Sequence, residues 1–235
     1  MTKKIVFKLI GLELLLIFFY ILNGAYVSIQ QPSSPLLQFV VLIPLALGLL
    51  IYIATKKKWR NYFFTHISKD NIFIYSPLML VLCIIFIGTK GLNFDSLSNL
   101  LLMFIMQMFV VAFIEETVFR GIMLRILLAK GTTAAVWISS ILFGVTHSLQ
   151  LIGGQSVEDT IVQIIYALLV GLVLSLLILD GQSIIMTMLF HGFNNFFNFM
   201  GNEESSMYTA YVIILVLVVY MLFLWKRVKK KLAVQ

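Results

Sequence analysis

Long apolar runs separated by short polar stretches make up this chain, and that alternation limits its fold more than any single motif. Hydrocarbon offers backbone groups no hydrogen bonds, so apolar runs of this length are stable there as helices that satisfy themselves. The runs lie at 5–25, 36–54, 72–88, from Leu97 into Arg125 and Lys130, then at 132–148, 160–179, 183–200 and 207–225. With 61% of its 235 residues hydrophobic and 11% charged, the chain falls among polytopic membrane proteins. The first run is longer than the apolar core of a signal peptide and has no small-residue cleavage site after it, so it is expected to remain as a helix.

The net charge of +7 would ordinarily raise the question of nucleic acid. Here the basic residues cluster between apolar runs, which is the positive-inside pattern, and a nucleic-acid partner is excluded. With a cytoplasmic N-terminus and eight crossings, all of the 17 Lys and Arg except Lys90 count towards the cytoplasmic side, when Arg120 within the fourth run is counted with the end that run leads to. The other side receives Asp95, Glu158, Asp159, Glu203 and Glu204. The expectation is therefore an all-α polytopic membrane helical bundle of eight transmembrane helices, with both termini cytoplasmic. Residues 1–235 read as a single membrane domain without repeats or linkers, set in a bacterial cytoplasmic membrane. Cys83, the lone cysteine, allows neither a disulfide nor a thiolate metal site and reads as packing.

Three polar constellations interrupt the apolar runs. Glu115, Glu116 and Arg120 lie inside the fourth, where each charge costs on the order of 2.5–3.5 kcal/mol at the bilayer centre. Glu116 and Arg120, at i and i+4, can pair; Glu115 is turned about 100° away and needs a partner from another helix, which suits a general base or acid. The fifth run carries Phe143-Gly144-Val145-Thr146-His147 and the seventh His191-Gly192-Phe193-Asn194-Asn195. His191 and Asn195 share a helical face. Because ionisable groups within a membrane point into the bundle, the three faces are expected to converge on one wet cavity. His66, Glu13 and Asp180 are read as surface, interface and turn residues respectively.

Glu-Glu-x-x-x-Arg, Phe-x-x-x-His and His-x-x-x-Asn, in that order on successive membrane helices, resemble the CPBP family of CAAX proteases and bacteriocin-processing proteins, also called Abi. The resemblance covers 97–200 and marks it as a catalytic core. It implies an intramembrane endopeptidase in which Glu115 activates a water with His147 as partner. His191 and Asn195 would stabilise the oxyanion, and Glu116, Arg120 and Phe143 would support the site. The substrate would be a short peptide, a lipidated tail or a membrane-inserted segment. The alternative is a non-catalytic bacteriocin self-immunity or peptide-binding protein that uses the same pocket.

Glu115, His147 and His191 could also form a zinc site with an open position. The metal-free version is favoured, because Asn195 is an uncommon zinc ligand and a good oxyanion donor. No Gly-x-Ser-x-Gly is present, and Ser139, Ser140 and Ser183 have no base at fixed spacing. Depth raises a difficulty. At ~1.5 Å per residue Glu115 lies about 15 Å from Arg125, whereas His147 lies about 22 Å from Thr132, so the fifth helix is expected to begin in the cytosol. The cavity is expected to be reached from the cytoplasmic side.

Overall fold

The computed structural model describes residues 3–67 and 72–233. The surface segment expected over 61–71 is thus described only as far as Ile67, where His66 is exposed. Helices account for the architecture: α1 Lys3–Gln30, α2 Val40–Thr55, α3 Ile72–Gly88, α4 Leu97–Lys130, α5 Thr132–Leu151, α6 Val157–Leu179, α7 Ile184–Phe199 and α8 Met207–Leu232. The described residues contain no strand, only an isolated antiparallel bridge between Leu92 and Gly201. Serines start several of the helices. Ser96, Ser156, Ser183 and Ser206 each accept a hydrogen bond from a backbone N–H two or three residues on, satisfying a donor the helix itself cannot.

Among the described residues, five helices are long and apolar enough to cross a membrane: α1, α4, α5, α6 and α8. The other three are shorter than eight full crossings would require. At ~1.5 Å per residue, the 16 residues of α7 reach about 24 Å against a hydrocarbon core of about 30 Å. α7 is short because it begins inside the bundle. The Ile184 N–H donates to Phe63 O at 3.0 Å and the Ser183 hydroxyl to Thr65 O at 2.7 Å. Much of the loop expected at the surface is therefore folded inward, with Tyr62 buried against Gly121 of α4.

Successive helices alternate between two ends of opposite charge. At one end Arg227 donates to Asp180 at 2.9 Å, Lys231 donates to the Asp180 carbonyl, and Tyr75 donates to Gln182 at 2.8 Å. These bonds tie the α6–α7 turn to α3 and α8, so Asp180 does more than close its turn. At the other end Lys90 pairs with Glu203 at 2.6 Å and Asn202 donates to Lys90 O at 2.8 Å, joining the α3–α4 and α7–α8 loops. The core lies along α6, whose residues from Leu172 to Leu177 are almost wholly inaccessible. α5 approaches it closely because Gly171 has no side chain; a Cβ there would sit 2.9 Å from Ser140 Cβ. Large apolar side chains such as Phe7, Ile29 and Ile87 point outward and are about three-quarters exposed, as lipid-facing residues are.

Candidate active site

α4 positions the acidic motif by departing from regular geometry on either side of it. Gln107–Val111 and Thr117–Met123 are π-helical, and Glu115 and Glu116 close the short α-helical stretch between them. Wider turns of this kind accompany functional sites because they rephase the side chains that follow. α7 meets the first π-helical turn at Gly192, where an added Cβ would collide with Met108 and lie 3.2 Å from its Cα. That approach inserts His191 between the two carboxylates. Its Nδ1–H donates to Glu116 Oε1 at 2.8 Å, and its Nε2 faces Glu115 Oε2 at 3.5 Å.

Glu116 forms the inner half of the cluster. It is fully buried, and its Oε1 also lies 3.0 Å from Arg120 Nη1. The contact is close as an ion pair but poorly aligned as a hydrogen bond, which leaves Arg120 Nη1 and Nη2 and Glu116 Oε2 unbonded among the described residues. The guanidinium instead lies over the Phe143 ring, 4.0 Å from its centroid. Phe143 also packs edge-on against His147 and His191, with ring centroids 4.9 and 5.7 Å away. One ring thus contacts a buried cation and both histidines.

Glu115 faces the opposite way, into a cavity of about 670 Å³. His147 and Asn195 line the same cavity; His191 lies behind its wall. The His147 Nδ1–H donates to Phe143 O at 2.9 Å, which leaves Nε2 as its uncommitted nitrogen. Asn195 Oδ1 accepts from Asn194 Nδ2 at 3.2 Å, so its own NH₂ remains to donate elsewhere. The depth difficulty disappears when both helices are measured from the turn that joins them. Gly131, with φ +95°, links α4 to α5, and Glu115 and His147 stand equally far along the chain on its two sides. Arg125 was the wrong reference level, because α4 runs on to Lys130.

Two sequence expectations change here. Both His191 ring nitrogens are turned to carboxylates, so neither is aimed at an oxyanion in the cavity. The expected approach from the cytoplasmic, basic end also fails. The polar lining continues from Glu115 to Gln155, Glu204 and Ser206 on the α5–α6 and α7–α8 connections and to Asp159 in the first turn of α6, at the acidic end. No described residue of the basic-end loops lines the cavity, and Met123, Leu124, Leu127 and Ile184 close that side without exposure.

Sequence reasoning missed other members of the site. Tyr20 on α1 donates to Glu115 Oε1 at 2.5 Å, and Tyr166 on α6 donates to Asn194 Oδ1. Glu13, read as lying near the interface or pairing with a neighbour, does pair: it accepts from Thr146 at 2.7 Å, one residue from His147. A tyrosine within an apolar run carries no signal in the sequence; Asn194 was visible only as a neighbour of Asn195. The hydroxyls of Ser139 and Ser140 donate to backbone carbonyls of their own helix and are not poised as nucleophiles. Among the described residues no three His, Cys, Asp or Glu side chains are grouped as a metal site. His191 Nε2 faces Glu115 Oε2 at 3.5 Å, and no step below uses a metal.

A polar cavity within a helical bundle, with a carboxylate, a histidine and a carboxamide on its walls, holds the groups that base-assisted hydrolysis requires. Residues 97–197, less than half of the chain, match the family model of type II CAAX prenyl endopeptidase Rce1-like proteins, consistent with the resemblance carried by the motifs. The likeness of that stretch is to a family of intramembrane proteases, and it lies within a chain that has five helices long and apolar enough to cross a membrane among its described residues. Comparison with curated proteins and with solved structures gave no match.

Proposed function

We propose that this protein is an intramembrane endopeptidase that hydrolyses a peptide bond with a water activated by Glu115, without a metal. The observation that carries the reading is that Glu115, His147 and Asn195, from three helices, face one cavity. Glu115 takes a proton from the water while the water oxygen bonds to the peptide carbonyl carbon. His147 Nε2 accepts the other water hydrogen and orients the attack. Asn195 Nδ2–H donates to the carbonyl oxygen as it becomes an oxyanion, a contact often worth about 3–4 kcal/mol. When the C–N bond breaks, the proton held by Glu115 passes to the departing amine. His191, Glu116 and Arg120 act behind the wall by fixing the Glu115 carboxylate.

The substrate in this reading is a short peptide, a lipidated tail or a membrane-associated segment, and no nucleic acid takes part. All eight helices cross the bilayer with both termini cytoplasmic, the shorter ones with help from the inward-folded loops. The whole chain acts as one domain, around the core at 97–200, in a bacterial cytoplasmic membrane. The test compares the peptides of cells carrying the wild type with those of cells carrying Glu115→Gln at equal expression. Peptide ends made by the wild type should fall by a factor of about 10²–10⁴ in the variant. Equal processing by both proteins would refute the mechanism.

A further inference from the structure

The side from which the cavity is entered restricts what can be cut, and the structure and the charge pattern together assign that side. The basic clusters at Lys56–Arg60, Arg125–Lys130 and Lys226–Lys231 belong to one end of the bundle, where Asp180 holds Arg227 and Lys231. Positive charge of this density stays in the cytoplasm. Between that end and Glu115 stands a plug of side chains with no measurable exposure, including Met123, Leu124, Leu127 and Ile184. A polypeptide cannot pass it without unpacking the core. From Glu115 the polar walls run the other way, through Gln163 and Asn198 to Gln155, Asp159 and Glu204. At that end Lys90 is paired with Glu203, and no Lys or Arg lines the cavity.

We infer that the cavity opens to the extracytoplasmic side, and that its substrate is an extracytoplasmic or outer-leaflet segment of an exported or membrane-anchored polypeptide, not a cytosolic tail. The lining suits such a guest. Gln150, Gln155, Gln163 and Asn195 offer side-chain amides, which pair with both the N–H and the C=O groups of an extended backbone. A strand drawn into a bilayer needs those partners, because lipid supplies none. The side of entry rests on packing and charge alone. The identity of the guest as a substrate rests on the proposed hydrolysis.

Cysteine accessibility in intact cells tests the two parts separately. In the full-length protein with Cys83→Ala, single cysteines are introduced as Glu204→Cys at the mouth, Gln163→Cys in the cavity and Lys130→Cys at the basic end. The probe is a membrane-impermeant, charged methanethiosulfonate. Glu204→Cys and Gln163→Cys should react in intact cells at least tenfold faster than Lys130→Cys, which should react only after permeabilisation. Reaction of Lys130→Cys in intact cells with Glu204→Cys protected overturns the assignment. So does a reactive Glu204→Cys with an inert Gln163→Cys, which would mean that the cavity does not open at that end. If labelling is as expected and the Glu115→Gln comparison yields no processed peptide, the side of entry holds and the proteolytic reading fails. If processed ends appear and map to cytosolic segments, the substrate assignment is overturned.

Discussion

Replacing Arg120 by Met tests how the buried acid cluster is held. The side chains of Arg120 and Glu116 are 1% and 0% exposed, and their charged atoms lie 3.0 Å apart. At that distance and an effective dielectric constant of about 20, the Coulomb attraction is about 5 kcal/mol, set against several kcal/mol for desolvating each ion. The intact pair therefore contributes little net stability. Removing one partner is different, because Glu116 would then keep its desolvation cost with only the His191 contact to offset it. Arg120→Met should cost about 3–5 kcal/mol, including the lost cation contact with Phe143. Adding Glu116→Gln removes the stranded charge and keeps an acceptor for His191 Nδ1, so the double variant should recover about 2 kcal/mol of that loss. Reversible unfolding in mixed micelles of increasing SDS fraction, followed by fluorescence of the three tryptophans, measures both differences. A single variant within about 1 kcal/mol of wild type, or a double variant no more stable than the single, would refute this account of the cluster.

Other substitutions separate chemistry from packing. His147→Ala should lower kcat by a factor of about 10²–10⁴ on a peptide carrying the identified cleavage site while leaving the unfolding midpoint close to wild type, since His147 is only half-buried. Tyr20→Phe removes one donor to Glu115 and should lower kcat about tenfold with KM unchanged; a rise in KM at constant kcat would make Tyr20 a substrate contact instead. Gly192→Ala forces α7 away from Met108 and should destabilise the fold by about 1–3 kcal/mol and reduce activity with it, as seen by the same unfolding assay. Full stability in that variant would show that the helices have room to separate at this crossing.

The apolar runs and their polar breaks made the helical bundle legible from the sequence, because backbone groups in hydrocarbon leave few alternatives. That Glu115, His147 and Asn195 turn to one cavity, with His191 behind its wall, was foreshadowed for a related reason: a charged or strongly polar side chain among apolar neighbours is costly and needs a partner. The pairing of Glu116 with Arg120 was equally plain, since spacing along one helix is local information. What the sequence could not supply is which side chains meet across helices. His191 faces both carboxylates where α7 comes close to α4 at Gly192, and Tyr20 reaches Glu115 across ninety-five residues of chain. The shared level of Glu115 and His147 depends on where the Gly131 turn lies, and the short α7 depends on a loop folded inward to receive it. The direction of the cavity is likewise a property of packing. Composition decided that this chain is a membrane bundle with charges inside it, because transfer costs act residue by residue; close contact between helices decided which of those charges face a cavity and where it opens, because contact depends on the whole arrangement at once.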